Sequence, residues 1–170
     1  MNFSGELFTY DEDARLIAFE SGLVQSDKTI VFIGGLGDGL NAVPYLKPLE
    51  TTLKSIGWSL TQVQLSSSVT GYGISSLQKD TSELDKLIYY LTTKRGKKSI
   101  IFLGHSTGKQ NKLACFSSKP NLTSKVVRIV FGTVNVANTI KQFWVIFYKL
   151  PSQIVNTWTR IYLTFKPQWN

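Results

Sequence analysis

The 170-residue sequence is short of the residues that most site chemistry draws on: it has one cysteine, Cys115, and one histidine, His105. A single cysteine excludes an intramolecular disulfide framework and a cysteine-based zinc site. A single histidine means that any imidazole chemistry has to run through one residue. Acids are missing from a whole region. All eleven Asp and Glu lie in the first half, the last being Asp85. Long apolar runs are absent as well. The longest late one, Phe143–Tyr148, is six residues, against the ~18 that a membrane-spanning helix needs. The opening stretch, Met1 to Asp13, carries acids where a secretory signal would carry Lys or Arg before an apolar run. The expectation is a soluble, cytoplasmic chain.

What is present fits a globular domain: 42% of the residues are hydrophobic and 18% charged, enough to bury a core. The net charge of +8 would point to an acidic partner, but it is unevenly spread. Residues 1–108 hold ten Lys and Arg against eleven acids, and residues 109–170 hold nine against none. Three of the four tryptophans, Trp144, Trp158 and Trp169, share that second stretch. Two compositions meet near residue 108.

The first of them alternates short apolar runs with helical periods. Arg15–Phe19 reads as a short strand. Thr29–Ile33 is a β-branched run stopped by Gly34-Gly35, the pattern of a buried strand entering a tight loop. Tyr45, Leu46, Leu49, Leu53 and Ile56 are spaced near 3.6 and predict a helix over 44–56, closed by Gly57. Leu60–Leu65 alternates as a strand, and the Ser/Gly-rich Ser66–Gly73 reads as a loop. Leu77, Leu84, Leu87, Ile88 and Leu91 predict an amphipathic helix over 75–91, with Asp80, Glu83 and Asp85 near its positive end. Ser99–Leu103 is a third buried strand, and Lys125–Val136 can supply one more. Strands alternating with helices imply a mostly parallel sheet with helices on both faces.

Gly104-His-Ser-Thr-Gly108 follows a buried strand and fits the nucleophile elbow G-x-S-x-G. Flanking glycines suit a turn so sharp that side chains there would meet backbone, and Ser106 at its tip projects its hydroxyl above the strand's carboxyl end. The amide groups of a following helix then face a developing oxyanion. Gly34-Gly-Leu-Gly-Asp-Gly39 follows the earlier strand, where a hydrolase of this type places its oxyanion loop. The amides of Leu36 and Thr107 are the candidate donors, with Gly34, Gly35, Gly104 and Gly108 as the loop and elbow glycines. Alone, the glycines of the first loop also fit an ordinary tight β–α turn. Nucleotide readings fail on spacing: position 40 is Leu where G-x-G-x-x-G needs Gly, and Gly104–Lys109 is one residue short of a P-loop. No metal and no cofactor is expected.

These blocks, Phe32–Leu40, Pro44-Tyr-Leu, Leu65–Leu77 and Gly104–Gly108, occur in an order and spacing that resembles a largely uncharacterised fungal family of α/β-hydrolase-fold proteins, which includes esterases acting on fusarinine-type siderophores. The resemblance covers about residues 3–111. It implies Ser106 as nucleophile, an oxyanion loop at Gly34–Leu36, and hydrolysis of an ester or similar acyl bond. The sequence departs from the family at Lys109, where a small residue is expected, and at Asn111, where Asp is expected. The hydrolase order Ser…Asp/Glu…His requires an acid and a histidine downstream, and after Ser106 there is no Asp, Glu or His.

A serine hydroxyl needs a base to take its proton. His105 precedes Ser106 directly and is expected to pack behind the elbow. Ser106-Thr-Gly-Lys109 matches S-x-x-K, but the companion motifs are missing and a solvated lysine titrates too high for the task. The expectation is therefore a partial α/β-hydrolase-like domain over residues 1–136, truncated relative to the full fold, and a basic aromatic tail over 137–170. Its function reads as that of an ancestral serine ester hydrolase, catalytically incomplete in this chain, with a small ester as substrate. The alternative is a non-catalytic binding protein using the retained pocket or the tail, on an anionic membrane surface or nucleic acid. A tail without acids or periodicity also fits sequence not selected for this fold, as from a shifted or misspliced reading frame.

Overall fold

A computed structural model describes residues 2–35, 37–105 and the short strand 127–129. One six-stranded sheet carries the architecture, built from β1 (Gly5–Asp11), β2 (Leu16–Gly22), β3 (Lys28–Ile33), β4 (Ser59–Val63), β5 (Ser99–Gly104) and β6 (Val127–Ile129), in the order β1-β2-β4-β3-β5-β6. The helices α1 (Leu46–Ser55) and α2 (Leu77–Thr93) connect β3 to β4 and β4 to β5. Both helices and the three long parallel strands fall where periodicity places them, with ends moved by one or two residues.

Alternation along the central strands divides the core in two. Ile30, Phe32, Leu60, Ile101 and Leu103 face Leu46, Leu49 and Leu53 of α1. Val31, Ile33, Val63, Ile100 and Phe102 face Leu84, Leu87, Ile88 and Leu91 of α2. The sheet is thus covered on both faces, as continuous apolar strands require. Polar residues of β4 are buried with partners: the Thr61 and Thr29 hydroxyls lie 2.8 Å apart, and Gln62 pairs with Asn41.

The three parallel pairings, β4–β3, β3–β5 and β5–β6, are joined by two antiparallel ones, β1–β2 and β2–β4. Of the antiparallel part, the strand expected at Arg15–Phe19 is found as β2, but β1 and the antiparallel pairing were not legible. β1 has no reading in the sequence because Gly5–Asp11 is a mostly exposed edge strand. β2 runs three residues beyond Phe19 through Glu20 and Ser21, polar residues that are fully buried. Glu20 is tolerated there because Arg95 Nε (2.7 Å) and Lys97 Nζ (2.5 Å) reach it from beyond α2. Of the strand expected within Lys125–Val136, Val127–Ile129 pairs with β5. The expected tail, 137–170, lies outside the described residues.

The end of α1 is the one its sequence foretells, and the start of α2 is capped by a serine that the periodicity over 75–91 places inside the helix. At the end of α1, Gly57 N–H reaches the carbonyl of Lys54 and Trp58 N–H that of Leu53, with Gly57 at φ +81°, the Schellman pattern. Ser76 caps α2, its hydroxyl accepting from Lys79 N–H at 3.2 Å. Among the described residues no helix is long and apolar enough to cross a membrane.

Candidate functional site

The chain leaves β3 toward β4 on one side and returns to β5 on the other, so the strand order reverses between β3 and β5. Open α/β sheets bind ligands in the crevice outside the carboxyl ends of strands at such a switch point. Gly34–Gly39 leaves β3 there, and Gly104-His105 leaves β5 beside it: Ile33 is in register with Gly104. His105 N–H donates to the Ile33 carbonyl at 2.9 Å. The parallel ladder therefore continues one residue past β5, to the residue that precedes Ser106.

The loop after β3 is braced from within. Gly35 N–H donates to Asp38 Oδ2 at 2.7 Å, and Asp38 N–H donates to the Gly35 carbonyl at 3.1 Å. Gly34 is required by this closure, because a Cβ there would lie 2.7 Å from Asp38 Cβ. The sequence carries no plain signal for this brace, since an Asx turn runs from the side chain to the backbone two residues on, whereas Asp38 accepts from an N–H three residues before it. The Asn41–Gln62 pair joins residues 21 apart and likewise leaves no local signal.

His105 is half-buried and its Nδ1 shares a hydrogen bond with the Tyr45 hydroxyl at 3.2 Å. Burial lowers the imidazole pKa below its ordinary 6.5, against an opposite pull from the Asp38 carboxylate, so the ring is neutral at pH 7. Burial, and after it Asp38, raise the Tyr45 pKa, which keeps that hydroxyl protonated. The ring is thus tied to the start of α1 and the backbone to the end of β3.

Of the expected site residues, Gly34, Gly35 and Gly104 stand at the two strand ends. Leu36, Ser106, Thr107 and Gly108 lie outside the described residues, as do Lys109 and Asn111. Among the described residues no cluster of three or more His, Cys, Asp or Glu is arranged to hold a metal ion. A cavity of about 520 Å³ opens elsewhere, between β1 and α2, lined by Tyr10, Lys86, Tyr89 and Tyr90 among others. It contains none of the expected site residues.

A third loop closes the described part of this end. Ser66–Ser76 follows β4, and its Gly71 approaches the Ser66 carbonyl so closely that a Cβ would sit 1.8 Å from it. Val69 N–H donates to the Asp38 carbonyl at 3.2 Å, which joins this loop to the one after β3.

Comparison with known proteins bears on the family and the fold. The model of a family described as "Protein of unknown function (DUF1749)" matches residues 1–145. A protein of Schizosaccharomyces pombe designated UPF0613 protein PB24D3.06c is 42% identical over 121 residues, covering 64% of this chain and 38% of its own. The fusarinine C esterase sidJ of Aspergillus fumigatus is 32% identical over 125 residues, covering 69% of this chain and 35% of its own. The solved structure of the siderophore hydrolase EstB from Aspergillus fumigatus superposes with a TM-score of 0.61 at 32% identity, over 68% of this chain and 36% of that one. The fold is that of the α/β hydrolases. The chain spans a little over a third of the length of these relatives.

Proposed function

Because this chain belongs to the DUF1749 family of proteins of unknown function, we propose that it carries the nucleophile half of a serine ester hydrolase, with Ser106 as nucleophile and the amides of Leu36 and Thr107 as oxyanion donors. The observation that carries the reading is the junction of β3 and β5. The His105–Ile33 hydrogen bond holds the residue before Ser106 at the end of β3, where the glycine loop begins; acyl transfer needs its nucleophile and oxyanion donors close together, and this junction supports that reading. Relatives named as a fusarinine C esterase and a siderophore hydrolase support an ester as the substrate class. Gly34, Gly35, Gly104 and Gly108 let backbone amides approach the carbonyl being attacked.

In this chain the reaction would stop at the missing base. Attack by Ser106 requires transfer of its proton, and no Asp, Glu or His follows it in the sequence. His105 shares a hydrogen bond with Tyr45, and we read it as the elbow's packing partner, not its base. Loss of a triad member leaves only the residual catalysis of binding and the oxyanion hole.

The purified chain is therefore expected to hydrolyse p-nitrophenyl esters no faster than its Ser106→Ala variant. Excess imidazole in solution, supplying the absent base, is expected to produce turnover in the wild type above that of Ser106→Ala. Turnover by the wild type alone that Ser106→Ala abolishes would overturn the incompleteness. Equal rates of the two proteins in imidazole would overturn the assignment of Ser106.

A further inference from the structure

β1 is the outer strand of the sheet and pairs on one side only, with β2. An edge strand ordinarily carries a lysine or a proline that discourages further pairing. Residues 1–14 contain no Lys, Arg or Pro, and the Glu6 carboxylate of β1 is tied to Arg95 at 2.7 Å. The ladder to β2 is regular from Gly5 to Thr9 and shifts register only after it, between Thr9 and Asp11. A regular stretch of edge is thus left without the usual guards. Large side chains flank it on both faces with much of their surface in water: Leu7 of β1 is 61% exposed and Tyr89 of α2 is 67% exposed.

On one face of that edge lies the cavity of about 520 Å³. α2 runs back along β1: Lys86 meets Asp11 at 2.5 Å, Tyr90 stacks on Phe8 with centroids 5.1 Å apart, and Arg95 meets Glu6 at 2.7 Å. The cavity follows α2 from Ser82 to its cap at Lys94, about 18 Å of helix. It is therefore a trough, and about five extended residues span the same length. A strand added to β1 would lie about 4.8 Å further out and turn every second side chain onto the face that α2 covers. Those side chains would enter the trough. Its walls hold the rings of Tyr10, Tyr89 and Tyr90, and one end is acidic. Glu12 and Asp85 line that end, with Asp11 beside them already bonded to Lys86. Burial, and after it the charges of Glu83, Asp11 and Asp80, raise the Tyr10 pKa. Carboxylates together with tyrosine faces attract a cation. A second copy of β1 would bring its own Glu6, Asp11, Glu12 and Asp13 against the same acids, and like charges across a strand pair are destabilising.

We propose that the β1 edge is a docking site for an extended basic peptide segment of a partner protein, which adds a strand beside Gly5–Thr9 and seats a Lys or Arg side chain over the tyrosines of the trough, against Glu12 and Asp85. Main-chain hydrogen bonds to the unpaired edge supply affinity, and the trough supplies the preference for a cation. The added strand also covers Leu7 on the opposite face. Every residue of the site belongs to β1, the turn after it or α2, so the inference stands apart from the assignment of Ser106.

The test uses the full chain labelled with nitrogen-15 and titrated with the peptide acetyl-Thr-Lys-Val-Arg-Val-Lys-Thr-amide. One control peptide carries Glu at the basic positions. A second keeps the cations but has Pro in place of each Val, so it cannot pair as a strand. The basic peptide is expected to shift the Gly5–Thr9 amides and to slow hydrogen exchange at alternate ones, and neither control is expected to do so. Tyr89→Ala and Glu12→Gln, both at exposed positions, are each expected to weaken binding about threefold, the worth of one exposed cation–π contact or surface ion pair. Glu12→Lys is expected to weaken it about tenfold at low salt, with the difference shrinking at about 0.5 M salt. Equal binding of the acidic or the Pro-containing peptide, or no added protection within Gly5–Thr9, would overturn the proposal. So would protection of these amides that rises with protein concentration in the absence of peptide, since a second copy would then be the occupant.

Discussion

His105 is the one imidazole in the sequence, so its titration can be read in the stability of the whole chain. Burial depresses its pKa in the folded state. As the pH falls through ~6.5, the unfolded chain takes up a proton that the folded chain refuses, and folding stability declines until the folded value is passed. The melting temperature of the wild type is therefore expected to drop between neutral pH and about pH 5, and that component is expected to vanish in His105→Gln. Parallel melting curves for the two proteins over this range would show that the ring is not held neutral. Asp11 acts in a lower window. The Lys86 ammonium, 2.5 Å from its Oδ2, holds its carboxyl below the ordinary value. Its contribution is present above the unfolded pKa and is lost as the pH falls through the folded one, so the two groups separate on the pH axis.

The elements divide into those that periodicity fixes and those that distant partners fix. Gly57 ends α1 at φ +81°, and a Cβ added there would meet nothing within 4 Å, so Gly57→Ala tests backbone conformation without a clash. The expected loss is about 1 kcal/mol in urea unfolding, the cost of placing a Cβ in the left-handed region. A neutral result would mean that the helix end rearranges. This cap, both helices, β3 and β5 were legible because local spacing determines them. So was the glycine loop after β3, because it stops a buried strand. β1 was not, since an exposed edge strand has little alternation to display. Asp80 and Glu83 were legible only in part: Asp80 lies in the first turn of α2, as its place near the positive end of the helix implies, but nothing local shows that the two carboxylates also hold Ser66, Ser67 and Ser75 across up to 17 residues of chain. Neither the brace of Asp38 on Gly35 nor its carbonyl's hold on Val69 was legible in the sequence. What sequence patterns conveyed of the site was its two strand ends and the presence of a third, Ser/Gly-rich loop; what they concealed was that loop's hydrogen bond to Asp38.

At the scale of the whole molecule, the antiparallel hairpin has to be fastened to the parallel α/β unit, and charges do part of this. Glu20 on β2 is fully buried, with Lys97 Nζ 2.5 Å and Arg95 Nε 2.7 Å from its carboxylate. Arg95 continues to Glu6 on β1 at 2.7 Å, and Lys97 also donates to the carbonyls of Val24 and Ser26. The residues of each pair are more than 70 positions apart in sequence, so these contacts close the hairpin onto the turn after α2. Desolvating three charges is costly, and attraction at these distances recovers the cost only while every partner is present. Lys97→Met removes one cation and leaves the Glu20 carboxylate buried beside Arg95 alone; the expected destabilisation is about 3 kcal/mol. Glu20→Met with Lys97→Met removes the charge and its partner together, leaving Arg95 to Glu6 at the edge of the sheet. That double variant is expected to regain most of the loss, because well-packed apolar replacements of a buried pair are often neutral. Urea unfolding of both single variants and the double one gives the coupling directly. Additive losses would mean that Glu20 and Lys97 are stabilised independently, and that packing of Tyr10, Leu16 and Ala18 against α2, not the charge network, fastens the hairpin.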